Sequence, residues 1–140
     1  MGDLMVRMTE EMVSHVMGPL GYLSQQCKDD SKRWFPGTSD DLLHMVLGLA
    51  GESGEVANLL KKLDRGDYDT TNIKVHTGNV SEWPTDRKLE LAEEVVDVLV
   101  YAFNIFALLG VSPDVIYATK RAANERRFGG RVPIDSKSAD

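Results

Sequence analysis

Apolar residues recur every three or four positions through almost the whole chain, with very little strict alternation, so the sequence is written for helices rather than strands. Breakers divide it. Met5, Met8, Met12, Val13 and Val16 form one stripe, Gly18-Pro19-Leu20-Gly21 interrupts it, and Leu23 resumes, which predicts two short helices or one kinked at Pro19. Residues 29–38 mix charges with Trp34, Phe35, Pro36 and Gly37 and read as a loop carrying aromatics, a common place for binding. Thr38, Ser39, Asp40 and Asp41 offer N-caps and first-turn acids for a long helix reaching about Asp64, stopped by Arg65-Gly66-Asp67. Residues 67–84 are polar with some strand character and predict a short inserted loop, hairpin or flap. Thr85-Asp86 caps the most apolar helix, about 86–109, which Gly110 ends, and Ser112 with Pro113 opens a last helix to about Phe128.

The expected fold is therefore all-α: an antiparallel four-helix-bundle-like subunit with an insertion between its second and third long helices. The chain has 140 residues, enough for one domain with its own core, assigned to residues 1–130, with a disordered tail at 131–140. Its charge of −6 disfavours coating nucleic acid, which needs clustered Lys and Arg. A single cysteine, Cys27, no signal-like segment in residues 1–10 and no apolar run near 20 residues predict a cytoplasmic protein without disulfide or membrane span.

Four acids stand out. Glu52 and Glu55 are three apart on the helix bearing Gly48, Gly51 and Gly54, and Glu94 and Asp97 are three apart on the apolar helix. A three-residue step keeps each pair on one face. Val56 and Leu59 continue one buried stripe, and Leu91, Val95, Val98 and Leu99 the other, so the carboxylates belong near the helix interface. Gathered there they repel one another unless protonated or neutralised, and oxygen ligands without a paired His or Cys favour Mg²⁺ or Mn²⁺ over zinc. The competing reading is a solvated face with Lys61, Lys62 and Lys88. The three glycines each cost a helix about 1 kcal/mol, which predicts the close approach of another backbone or, more plainly, a loosely specified helix.

Other chemistries lack support. A carboxylate-bridged di-iron bundle wants Glu-x-x-His on two helices, and the chain has none. His44 reads as a packed residue, Cys27 has no histidine nearby in sequence, and no glycine elbow surrounds a serine.

Three segments together carry a resemblance: Gly48-Leu49-Ala50-Gly51-Glu52-Ser53-Gly54-Glu55-Val56, the run Glu90-Leu91-Ala92-Glu93-Glu94-Val95-Val96-Asp97, and Lys120-Arg121-Ala122-Ala123-Asn124-Glu125-Arg126-Arg127-Phe128. Over residues 42–128 the chain resembles the MazG family of all-α nucleoside triphosphate pyrophosphohydrolases. The resemblance implies Mg²⁺-dependent cleavage of (deoxy)nucleoside triphosphates to monophosphate and pyrophosphate, with Glu52, Glu55, Glu94 and Asp97 as metal ligands. Glu52 or Glu55 would accept the proton of the attacking water. The chain departs from the pattern at Gly51, where many relatives carry an acid, and in the lengthened gap between the acid pairs.

Lys120, Asn124 and Arg127 lie on one helical stripe in the only clearly basic stretch, suited to substrate phosphates or simply to solvent. Tyr101, four residues after Asp97, is placed beside sugar or base or in the core, and Trp34 stacks on a base or covers the bundle. Trp83 is expected to pack rather than touch substrate. Exposed Met and Leu over residues 4–16 suggest a partner surface, and the family association implies a homodimer or homotetramer with its site near the subunit interface. Two alternatives stay open: a dUTPase-like or phosphoribosyl-ATP pyrophosphohydrolase-like activity on the same metal site, and a non-catalytic helical interaction module.

Overall fold

A computed structural model describes residues 18–67 and 80–130. The methionine stripe at 5–16, most of the 67–84 insertion and the tail at 131–140 lie outside the described residues. Those described form four α-helices and one 3₁₀ turn, with no strand among them. The helices are α1 (Pro19–Trp34), α2 (Leu42–Arg65), α3 (Thr85–Leu109) and α4 (Pro113–Phe128), and the 3₁₀ turn is Val80–Glu82. The expected all-α class stands.

The ends of the helices follow local chemistry. Asp41 caps α2 by accepting from the His44 amide, and Gly66 at φ 77° closes it in the left-handed conformation. Gly110, at φ 68°, does the same for α3. Ser112 caps α4 through the Val115 amide, with Pro113 in the first turn.

Helix α1 begins at Pro19, as the expectation of two separate helices has it, because the missing N–H costs nothing in a first turn. The other end of α1 differs from expectation. The charged stretch expected as loop continues the helix to Trp34. Asp29 accepts from Gln25, four residues before it, Asp30 pairs with Arg33 at 2.6 Å, and Lys32 and Arg33 sit in the last turn where the helix dipole favours cations. Only 35–41 is left to connect α1 with α2.

Helix α3 is the centre of the packing. It lies against α2 along much of its length and against α1, whereas the main packing of α4 is on α1. The α2–α3 pair is antiparallel, pinned at one end by Leu59, Leu63 and Trp83 with Leu60 and Leu91 against them. Trp83, from the insertion, is thus a core residue. On the other side of α3, buried Ser24 donates to the Phe103 carbonyl at 2.7 Å, fixing α1. Helix α1 has no side-chain cap of its own, since Gly18 stands at its N-cap. Asp114 of α4 supplies one, accepting from the Leu20 amide at 3.2 Å and the Gly21 amide at 2.7 Å. A Cβ on Gly18 would lie 2.5 Å from Asp114 Cγ, so the glycine makes room for this cap.

The interior is thin. Among the described residues the fully buried apolar side chains are Met45, Leu59, Leu63 and Trp83, while Leu43 at 66% and Leu47 at 63% exposure head a much larger set of solvent-facing apolar ones.

Candidate metal centre and adjoining cavity

Gly48 sets the register of the acids. The Tyr101 ring of α3 lies directly over it: a Cβ there would fall 2.5 Å from Cζ and 2.6 Å from Cδ1 of the ring. The close approach expected at the glycines is therefore an aromatic ring on a bare stretch of α2, not a second backbone. Gly51 and Gly54 have nothing within 4 Å of where a Cβ would sit, so the expected contact does not exist for them in the single chain.

With Gly48 opposite Tyr101, antiparallel counting places Glu52, four residues on, opposite Asp97, four residues back. Glu52, Glu94 and Asp97 each bring a carboxylate oxygen within 4.8 Å of the other two. Glu52 and Glu94 are half-buried and Asp97 is exposed. The same count sets Glu55 level with Glu94, but its side chain is exposed and it stands outside this cluster. The structure thus gathers three of the four expected metal ligands.

No Lys or Arg neutralises the cluster among the described residues. Lys88 reaches instead to the Ser81 carbonyl at 3.0 Å, and neither Lys61 nor Lys62 pairs with any of the three acids. Ion pairs between these lysines and the three acids are therefore absent among the described residues. Three carboxylates this close repel one another when ionised. All-oxygen donors on two opposed helices fit a hard divalent cation.

Asp97 also belongs to the wall of a cavity of about 340 Å³. Trp34, Phe35, Tyr101, Met45 and Asn104 line it, with Cys27, Asp30 and His44. Its size falls at the lower end of the roughly 300–1,000 Å³ typical of small-molecule sites. Trp34 is 60% exposed, with the Arg33 guanidinium 5.2 Å from its ring, so it covers the cavity while keeping one surface in water. His44 is exposed at the cavity edge, not packed in the core as its apolar helix suggested. Burial pushes the Cys27 thiol above its ordinary pKa, with the Asp30 charge adding to the effect, so the thiol is kept protonated.

The cationic stripe stands apart. Lys120 and Asn124, with Tyr117, Arg121, Glu125 and Phe128, line a separate open groove on α4. The Arg127 guanidinium lies 4.9 Å from the Phe128 ring. Because α4 rests mainly on α1, the structure of one chain does not unite Lys120, Asn124 and Arg127 with the acids on α2 and α3.

Sequence reasoning passed over Asn104. It is 2% exposed, its Nδ2 donates to the Val100 carbonyl at 3.0 Å, and its Oδ1 has no partner among the described residues. The signal was there: a lone amide in an apolar run, three residues after Tyr101 and seven after Asp97, on one helical face.

No protein-family model matches the sequence, and no curated protein matches it either.

Proposed function

We propose that the protein is a Mg²⁺-dependent nucleotide pyrophosphohydrolase that converts nucleoside triphosphates to monophosphate and pyrophosphate. The observation that carries this reading is the cluster of Glu52, Glu94 and Asp97, with carboxylate oxygens within 4.8 Å and no ion pair to a Lys or Arg among the described residues. The donor set suits Mg²⁺, with Mn²⁺ as a substitute. When bound, such an ion neutralises phosphate charge and acidifies water.

The remaining roles fall to the chain's own groups. Glu52, Glu94 and Asp97 hold the cation between α2 and α3. Glu55, level with Glu94 but outside the cluster, keeps its carboxylate uncommitted and is placed to accept a proton from attacking water. Tyr101, seated on Gly48, stands between the acids and the cavity and orients the sugar. Trp34 offers a ring face for a base. Lys120, Asn124 and Arg127 bind the outgoing phosphates.

Lys120 and Asn124 belong to a groove of their own on α4, the helix that also carries Arg127, so the reading requires a homodimer or homotetramer in which α4 of one copy serves the acids of another. The exposed apolar side chains support such an assembly. Leu42, Leu43, Val46 and Leu47 make one exposed apolar stripe on α2, and Val95, Val96 and Leu99 another on α3.

The test is product analysis on a panel of ribo- and deoxyribonucleoside triphosphates with Mg²⁺. Monophosphate and pyrophosphate are expected, lost in Glu94→Gln. Diphosphate and phosphate as products, or no turnover across the panel with either metal, would refute the reading.

A further inference from the structure

We propose that Asp114 is a positioning residue for phosphate binding: by joining the start of α4 to the start of α1 it fixes where Lys120, Asn124 and Arg127 stand, while touching no substrate itself. The inference rests on the nucleotide reading above and adds to it a residue that lies outside both the cavity and the acid cluster.

Helix α4 leaves α3 through a bend of 103° and packs mainly on α1. Burial falls along it. Residues 112–116 are buried or half-buried, whereas Lys120, Asn124 and Arg127 are exposed. The side chains assigned to phosphate therefore stand on the part of the helix that projects, and their place follows from how the embedded first turn is seated.

Asp114 seats that turn. Its two carboxylate oxygens are divided between neighbouring amides of α1, Oδ1 accepting from Leu20 at 3.2 Å and Oδ2 from Gly21 at 2.7 Å. Bonds from N–H to a carboxylate are the stronger kind, and two of them side by side hold direction as well as distance. The same carboxylate lies in the first turn of α4, so the positive ends of two helix dipoles meet on one charge. Gly18 completes the seat. A Cβ there would fall 2.5 Å from Asp114 Cγ and 3.0 Å from Oδ2, so a side chain at this position would push the carboxylate off the amides. Helix α1 also carries Asp30 and Trp34 of the cavity wall. Asp114 thus ties the helix of the cavity to the helix of the cations.

The test uses the full chain as wild type, Asp114→Ala, Gly18→Ala and the double variant. Each is measured for binding of inorganic pyrophosphate with Mg²⁺, for KM and kcat on the triphosphate turned over best, and for melting temperature. Asp114→Ala and Gly18→Ala are each expected to weaken pyrophosphate binding and raise KM by about tenfold, the scale of one hydrogen bond to a charged group. kcat should stay within about twofold, the pattern left when uniform binding is lost. The two effects should not add, because Gly18→Ala has no carboxylate to displace once Asp114 is gone. A merely structural residue would lower the melting temperature and leave KM and pyrophosphate affinity of the folded protein unchanged. That result, or additive effects in the double variant, would overturn the proposal. Asp114→Asn keeps one acceptor and serves where Asp114→Ala does not fold: a smaller loss of the same kind is expected, and unaltered pyrophosphate affinity in both it and Gly18→Ala would again overturn the proposal. Pyrophosphate binding that weakens in the variants of a chain without triphosphate turnover would sink the hydrolase reading alone. Turnover with a KM indifferent to every variant would sink the positioning role alone. A wild type that neither binds pyrophosphate nor turns over triphosphate would sink both.

Discussion

Three glycines on one helix, changed one at a time to alanine, test the register of the α2–α3 pair. Gly51 and Gly54 are exposed, with open space where a Cβ would go. Each replacement should stabilise the protein by about 1 kcal/mol, the helix-propensity difference between Gly and Ala. Gly48 gains the same propensity but drives a methyl carbon to 2.5 Å from Tyr101 Cζ. Overpacking of this kind costs about 1–3 kcal/mol, since the ring must leave its seat or the helices must part. The net effect at Gly48 is thus neutral to about 2 kcal/mol destabilising, and the gap between Gly48→Ala and Gly51→Ala is about 1–3 kcal/mol. Thermal melts followed by circular dichroism resolve this, at roughly 3 °C per kcal/mol for a domain of this size. If Gly48→Ala melts as high as Gly51→Ala, Tyr101 does not rest on α2 and the opposition of Glu52 to Asp97 fails with it. If Gly51→Ala or Gly54→Ala is destabilised, and more so on dilution, a second copy occupies the space that is open in one chain.

Three further outcomes are expected. Glu94→Gln removes one charge from a cluster whose members repel by roughly 1–3 kcal/mol per pair at this spacing, so it should raise the melting temperature in chelator. It should also lose the Mg²⁺-induced stabilisation of the wild type, about 2.7 kcal/mol at a hundredfold excess over Kd, and a wild type unmoved by Mg²⁺ would contradict the cation site. Trp83→Ala should cost about 3–5 kcal/mol in urea unfolding, because it empties the cluster formed with Leu59 and Leu63; a loss under 1 kcal/mol would mean that the tryptophan is not a core residue. Cys27 should alkylate more slowly than a free thiol at mildly alkaline pH, and its rate should reach half-maximum at a higher pH. A thiol pKa raised in the fold contributes stability that is full below the unfolded pKa and is lost as pH rises through the folded one. An ordinary alkylation profile would place Cys27 in solvent.

What was legible in the sequence was whatever local chemistry decides. Asp41, Gly66, Gly110 and Ser112 end or begin helices by bonds made within a turn or so, and each acts where its residue type predicts. The face shared by Glu94 and Asp97 is likewise a property of one helix. Charge over residues 29–33 does not mark a loop, because Asp30 and Arg33 pair along the helix surface. The glycines show the limit most clearly. Spacing marked Gly48, Gly51 and Gly54 alike, yet only the register between α2 and α3, a tertiary fact, places a ring on the first and nothing on the others. Asn104 was equally hidden. Its position on a helix is visible in sequence, but the vacancy of one of its two polar atoms depends on what three other segments fail to offer it.

The cap that Asp114 lends to α1 has a mechanical side. Helix α4 is held at its first turn by two hydrogen bonds from the backbone of another helix to the Asp114 carboxylate. From Asp114 to Phe128 is about 21 Å at 1.5 Å per residue, so a tilt of about 10° at the anchored end sweeps the other by about 4 Å. Lys120, Asn124 and Arg127 lie along that length, so the direction in which they project depends on where one carboxylate, Asp114, fixes the start of the helix.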